Sequence, residues 1–189
     1  VRDAIPSHIP VSAKMRLGYM DRNFTLENAH AIEDAGAAWI TVHARTKADG
    51  YTPPAFWDQL QPIREALKIN VIANGEIWSN ADAKACLQQS QCQDLMIGRG
   101  AVTTPDLTLC IRQNQDSAML SWQDLVKLQQ RFLSGQYKTE IGMIGRYKQW
   151  LGMMSKAYPE AQQLWNQVKR IKQLDQIIDC LESGFLLQE

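Results

Sequence analysis

Several absences narrow this chain before any motif is read. Cysteine is sparse and scattered: Cys86, Cys92, Cys110 and Cys180 form no Cys-x-x-Cys pair and no cluster with histidine. That excludes a disulfide scaffold and a structural zinc site. Net charge is also lacking, with 20 basic residues against 20 acidic ones, so any attraction for an anionic partner must come from a local patch. No apolar run approaches the ~18–20 residues that cross a bilayer, and no charged-then-apolar leader opens the sequence. A cytoplasmic, reduced, soluble protein without a metal is expected. The chain begins at Val1 rather than Met, in a stretch to Pro10 that reads as the end of a helix leading into a turn; we expect an N-terminal truncation.

What is present is ordinary enough to fold. Apolar residues make up 45% and charged residues 21%, close to globular averages, so a sizeable core is available. β-Rich runs recur at Val11 to Met15, Trp39 to His43, Asn70 to Asn74 and Asp94 to Ile97, each followed by a polar or Gly-containing loop and a helical pattern. The helices are expected at Leu26 to Ala35, Phe56 to Leu67, Asn80 to Gln89 and Asp106 to Gln113. Thr25 and Ser79 read as N-caps, Gly36 as a stop and Pro105 as a start. Strands alternating with helices imply βαβ units and a parallel sheet, and the near-continuously apolar runs suit buried parallel strands.

Each run ends in a residue with chemistry: Lys14, His43, Asn74 and Gly98, at spacings of 29, 31 and 24 residues. About 31 residues per unit is the pitch of a TIM barrel, whose active sites lie at the C-terminal ends of its strands. Taken singly, Lys14 reads as a solvated charge and His43 as a structural histidine. Four such positions in succession favour a site. Asn74-Gly75-Glu76 and Gly98-Arg99-Gly100-Ala101 add two Gly-containing loops on neighbouring strands, where backbone N–H groups and a helix start favour a phosphate. A phosphate site after the seventh and eighth strands recurs in TIM barrels; on that numbering the first four strands lie outside this chain.

Val11-Ser12-Ala13-Lys14-Met15-Arg16-Leu17-Gly18, Val42-His43-Ala44-Arg45-Thr46, Ile72-Ala73-Asn74-Gly75-Glu76-Ile77 and Met96-Ile97-Gly98-Arg99-Gly100-Ala101 together resemble the second-half motifs of tRNA-dihydrouridine synthases. The resemblance runs on through Arg146-Tyr147-Lys148-Gln149-Trp150-Leu151 and is closest to the bacterial C subfamily, which modifies a uridine of the tRNA D-loop. It implies an FMN enzyme reduced by NADPH. It also implies that Lys14 and His43 contact the flavin, Asn74, Gly75 and Glu76 hold its ribityl and phosphate end, and Gly98 and Arg99 complete the phosphate cradle. Arg16 and Arg45 are left between two readings, contact with the flipped uridine or its phosphates and an ion pair with nearby carboxylates. The family's proton-donating cysteine stands in an Asn-Cys-x-Cys-Pro motif that does not occur here, so this chain is expected to be an inactive fragment.

After residue 116 the pattern turns to helices alone, expected at Trp122 to Ser134, Glu140 to Lys156, Glu160 to Val168 and Leu174 to Leu187, with Ser121 and Pro159 as starts and Gly135 as a stop. The fold expected is thus the second half of an FMN-binding (β/α)8 barrel over 1–116 and a helical bundle that docks tRNA over 117–189. Lys138, Arg146, Lys148, Lys156, Lys169, Arg170 and Lys172 face only Glu140 and Glu160 in the intervening stretch, a local excess suited to RNA phosphates. Arg146 and Lys148 are the expected tRNA contacts. Trp150, Met153, Met154, Leu164 and Trp165 read as core. Two other readings compete: a non-catalytic tRNA-binding module, and another phosphate-binding barrel enzyme. Unpaired half-barrel edges favour association.

Overall fold

A computed structural model describes residues 1–135 and 139–186. Lys138, in the expected basic stretch, and Leu187, the expected end of the last helix, lie outside the described residues. Two compact units divide the chain, Val1–Gly98 and Arg99–Glu189.

The first unit is a four-stranded parallel sheet in the order β1-β2-β3-β4, with β1 at Ser12–Gly18, β2 at Trp39–Thr46, β3 at Asn70–Asn74 and β4 at Asp94–Met96. Helices α1 (Thr25–Asp34), α2 (Gln61–Ala66) and α3 (Asn80–Ser90) connect them. This alternation is what half of an α/β barrel requires. The strands are not the near-continuously apolar, buried runs expected. Side chains alternate along a strand, and paired parallel positions share a face. Leu17, Ile40, Val42, Ala44, Val71 and Ala73 form one buried apolar side. On the other, Lys14 pairs with Thr41 and Arg16 with His43, which in turn pairs with Asn74. The polar residues scattered through the sequence therefore collect on a single face.

Local chemistry explains the helix ends. Ser79 caps α3 by accepting from Asp82 N–H at 3.1 Å, and Gly36, at φ +82°, turns the chain after α1 by donating to Glu33 O at 2.8 Å. Thr25 does not cap α1 as expected: it lies inside the helix, and its hydroxyl donates to the carbonyls of Leu17 and Arg22. The helix expected over Phe56 to Leu67 opens instead as a 3-10 turn, Trp57–Leu60, and becomes α-helical at Gln61. Pro62 is tolerated there because a first-turn N–H has no intrahelical acceptor.

The second unit is helical: α4 (Arg99–Thr103), α5 (Leu107–Arg112), α6 (Trp122–Leu133), α7 (Glu140–Met154), α8 (Pro159–Val168) and α9 (Leu174–Leu186). Asp106, not Pro105, precedes α5, and its carboxylate accepts from the N–H groups of Met119 and Leu120 at 2.6 and 2.8 Å. Ser121 and Asp124 form a reciprocal capping box on α6. Helices α6 to α9 share an apolar core that includes Leu125, Leu151, Met154, Leu164 and Ile177, with Trp150 and Trp165 packed against it. Tyr147 is wholly buried and donates to Gln129 Oε1 at 2.9 Å.

Candidate functional site

The polar sheet face carries the site residues, but not where the sequence put them all. Lys14 and His43 lie within β1 and β2 rather than at their ends, because both strands run on to Gly18 and Thr46. Asn74 does end β3, and Gly98 follows β4 by two residues. The residue level with His43 and Asn74 is Arg16, and the row is completed by Met96.

Hydrogen bonds fix the state of His43. Asn74 Nδ2 donates to Met96 O at 2.7 Å, a group that only accepts, so the amide oxygen faces His43. His43 Nδ1 lies 3.0 Å from that oxygen and must carry the proton. In the neutral ring Nε2 is then an acceptor; it is buried and has no hydrogen-bond partner among the described residues. Burial pushes the His43 pKa down, the Asn74 contact pulls it back, and the guanidinium of Arg16, the ammonium of Lys14 and the guanidinium of Arg45 push it down again. Lys14 is drawn below its ordinary value by burial and then by Arg16.

The lowered value has a measurable consequence. His43 should remain neutral as pH falls past its ordinary 6.5. Because the unfolded chain takes up the proton first, the associated stability is present above 6.5 and lost as pH falls through the folded value. Nitrogen NMR on histidine-labelled chain, with a His43→Gln variant for assignment, should show an Nδ1–H ring titrating below 6.5; titration at or above it contradicts this geometry.

Of the two readings for Arg45, the geometry favours the ion pair. Arg45 is 0% exposed; its Nη2 pairs with the Glu76 carboxylate and its Nε donates to Pro54 O at 3.2 Å. The other Glu76 oxygen accepts from Trp78 Nε1 at 2.9 Å. Arg16 meets no carboxylate among the described residues: its Nη1 donates to Thr46 O at 2.7 Å and Gly50 O at 3.0 Å, and its guanidinium lies 5.2 Å from the Tyr51 ring centroid. Tyr51 in turn stands edge-on to His43, 6.0 Å between centroids. Sequence reasoning missed Tyr51, which stands eight residues beyond His43 in the following loop.

Gly75 adopts φ +126°, a conformation that suits glycine, and a Cβ there would lie 3.6 Å from His43 Nε2. At Gly98 a side chain would meet nothing within 4 Å, so the chain's own packing does not demand glycine there. An unpartnered buried nitrogen, two cations on the same face and open space at Gly98 fit a bound planar, anionic cofactor. Arg99 begins α4 and is exposed.

In the helical unit Arg146 is exposed. Lys148 is engaged: its Nζ donates to the carbonyls of Lys169 and Ile171, closing the C-terminal end of α8. Among the described residues no group of three or more His, Cys, Asp or Glu could hold a metal ion, and no helix is long and apolar enough to cross a membrane.

Comparison with known proteins bears on the whole chain. A family model described as dihydrouridine synthase matches residues 1–186. A tRNA-dihydrouridine(16) synthase of Shewanella oneidensis is 42% identical over 188 residues, 97% of this chain and 58% of its own length. Proteins of the same name from Pseudomonas syringae pv. tomato and Haemophilus influenzae are each 42% identical, over 94% and 89% of this chain and 57% and 55% of their own length. The chain thus spans little more than half the length of the curated relatives it matches. With the match running through both compact units, the chain belongs to the dihydrouridine synthase family.

Proposed function

We propose that the protein carrying this chain reduces a D-loop uridine of tRNA to 5,6-dihydrouridine in the cytoplasm, using FMN that is itself reduced by NADPH. Residues 1–116 serve as the second half of a (β/α)8 barrel, and 117–189 as a helical bundle that docks tRNA. The observation that carries this reading is the polar sheet face on which Arg16, His43 and Asn74 stand level, in a chain of this family.

When bound, the flavin supplies the hydride that saturates the uracil C5–C6 bond. The chain's own residues position and stabilise. Lys14 provides a positive charge for the pyrimidine edge of the reduced cofactor, and His43, held by Asn74, offers Nε2 to a donor. Asn74, Gly75 and Glu76 hold the ribityl and phosphate end. The Asn74 amide and the Glu76 carboxylate already have protein partners, so the backbone of this turn is the part that approaches the cofactor. Gly98 and Arg99 serve the phosphate, and Arg16 serves the uridine. Arg45 is assigned to holding Glu76 rather than to RNA.

Two experiments test the halves of this reading. The first uses a chimaera in which this chain replaces the matching part of the Shewanella relative. Arg99→Ala there should remove a charge-assisted phosphate contact of about 1.5–3 kcal/mol, leaving a paler protein at limiting FMN with tRNA affinity unchanged. Undiminished flavin content contradicts the cradle. The second uses the 189-residue chain and labelled tRNA. Arg146→Gln should weaken binding and flatten its salt dependence, because fewer counterions are released. Lys148→Ala is a poorer probe, since it also strips the end of α8 of a hydrogen-bond donor. If Arg146→Gln binds with the wild-type affinity and salt slope, tRNA docks elsewhere.

A further inference from the structure

The loops that follow β1 and β2 are tied into one surface. Lys47 N–H donates to Gly18 O at 2.9 Å and Ala48 N–H to Tyr19 O at 2.8 Å. Gly18 permits the first loop to close, since a Cβ there would lie 1.8 Å from Asp21 O. In the second loop Thr46 N–H donates to the Asp49 carboxylate at 2.7 Å, and Asp49 N–H returns to Thr46 Oγ1 at 3.1 Å. Arg22, from the first loop, approaches Asp49 at 3.9 Å and covers the Phe56 ring at the same distance.

This ordered surface displays side chains that folding normally removes from water. Tyr19 is 71% exposed, Met20 72% and Tyr51 60%. Single exposed apolar residues need no explanation, but with Phe24, 63% exposed, there are four on one hydrogen-bonded pair of loops, a concentration that calls for one. Arg22 and Lys47 stand in the two loops, against Asp21 and Asp49, and Arg16 reaches in from β1 to donate to the carbonyls of Thr46 and Gly50. Asp49 is engaged by Thr46 and Arg22, and with Arg16 counted the cations of this surface exceed its acids by one. Flat aromatic faces beside guanidinium and ammonium groups complement unstacked bases and their phosphates. The patch also adjoins the polar sheet face, through the contact of Tyr51 with His43.

We propose that the tied loops are a stacking platform for unpaired nucleotides flanking the one that enters the site, with Tyr19 and Met20 against a base and Arg22 and Lys47 toward the phosphates. This rests on the tRNA reading of the site and adds residues that the reading did not use. RNA is favoured over a protein partner because the aromatic face is paired with cations.

The test is the affinity of the full 189-residue chain for labelled tRNA, measured at several salt concentrations with Tyr19→Ala, Tyr19→Phe, Tyr19→Leu and Lys47→Ala. Loss of one stacked base weakens binding by about tenfold. Tyr19→Ala and Tyr19→Leu should show that loss with an unchanged salt slope, and Tyr19→Phe should bind as the wild type does. Lys47→Ala should lower the slope by about one. Wild-type binding together with full affinity in Tyr19→Ala overturns the platform and leaves the tRNA reading standing. Leu serving as well as Phe also overturns it, and points to an apolar protein contact. A wild-type chain that does not bind tRNA refutes the tRNA reading, and the platform with it.

Discussion

Replacing Glu76 with leucine should lower the stability of the chain by about 3–5 kcal/mol, the cost of stranding a buried charge. Arg45 is 0% exposed and its Nη1 has no partner among the described residues, so losing the carboxylate leaves the guanidinium with the Pro54 carbonyl. At 0% exposure the guanidinium has no solvent contact in the folded chain to compensate. Trp78 Nε1 loses its acceptor in the same step. Glu76 sits at φ +57°, and leucine meets the same backbone there, so the loss reports the ion pair rather than a new strain. The double variant Arg45→Met with Glu76→Leu should recover part of the loss, because neither charge then remains buried alone. Urea midpoints for the single and double variants measure this. A Glu76→Leu change within 1 kcal/mol of wild type means that Arg45 has another partner, and the assignment of Arg45 to Glu76 fails.

The second large effect is an absence of product. These 189 residues, supplied with FMN, NADPH and unmodified tRNA, should form no dihydrouridine. Saturating the uracil ring takes a proton as well as a hydride, and the family resemblance implies that a cysteine in an Asn-Cys-x-Cys-Pro motif donates it, a motif that does not occur in these residues. The cysteines present are poor substitutes. Cys86, Cys92 and Cys110 are buried, and burial raises all three thiol pKa values, that of Cys86 to about 12. None of them belongs to the row of Arg16, His43 and Asn74, and Cys180 lies in α9. Mass spectrometry of digested tRNA settles the point: dihydrouridine above a no-protein control means that another group delivers the proton.

Much of the arrangement was legible because it depends on periodicity and spacing. Alternating runs and helical patterns located all four strands, Ser79, Gly36 and Ser121 marked element ends through local hydrogen bonding, and Pro159 marked the start of α8 through its fixed backbone and missing N–H. What escaped depends on partners distant in sequence. Nothing local indicates that Thr25 donates back to Leu17, that Lys148 closes the end of α8, or that Arg45 is enclosed with Glu76. The level of Arg16 with His43 is likewise a property of strand register, 27 residues apart in the chain. Tyr51 was overlooked because loop aromatics carry no periodic signal.

The central claim is that this chain works as the second half of a dihydrouridine synthase, and the Shewanella chimaera tests it most directly. Purified with FMN and given NADPH and unmodified tRNA, the chimaera should bind flavin and form dihydrouridine, and Lys14→Ala with His43→Ala should abolish product formation while leaving tRNA binding intact. A folded chimaera that binds tRNA but holds no flavin and forms no dihydrouridine would contradict the account.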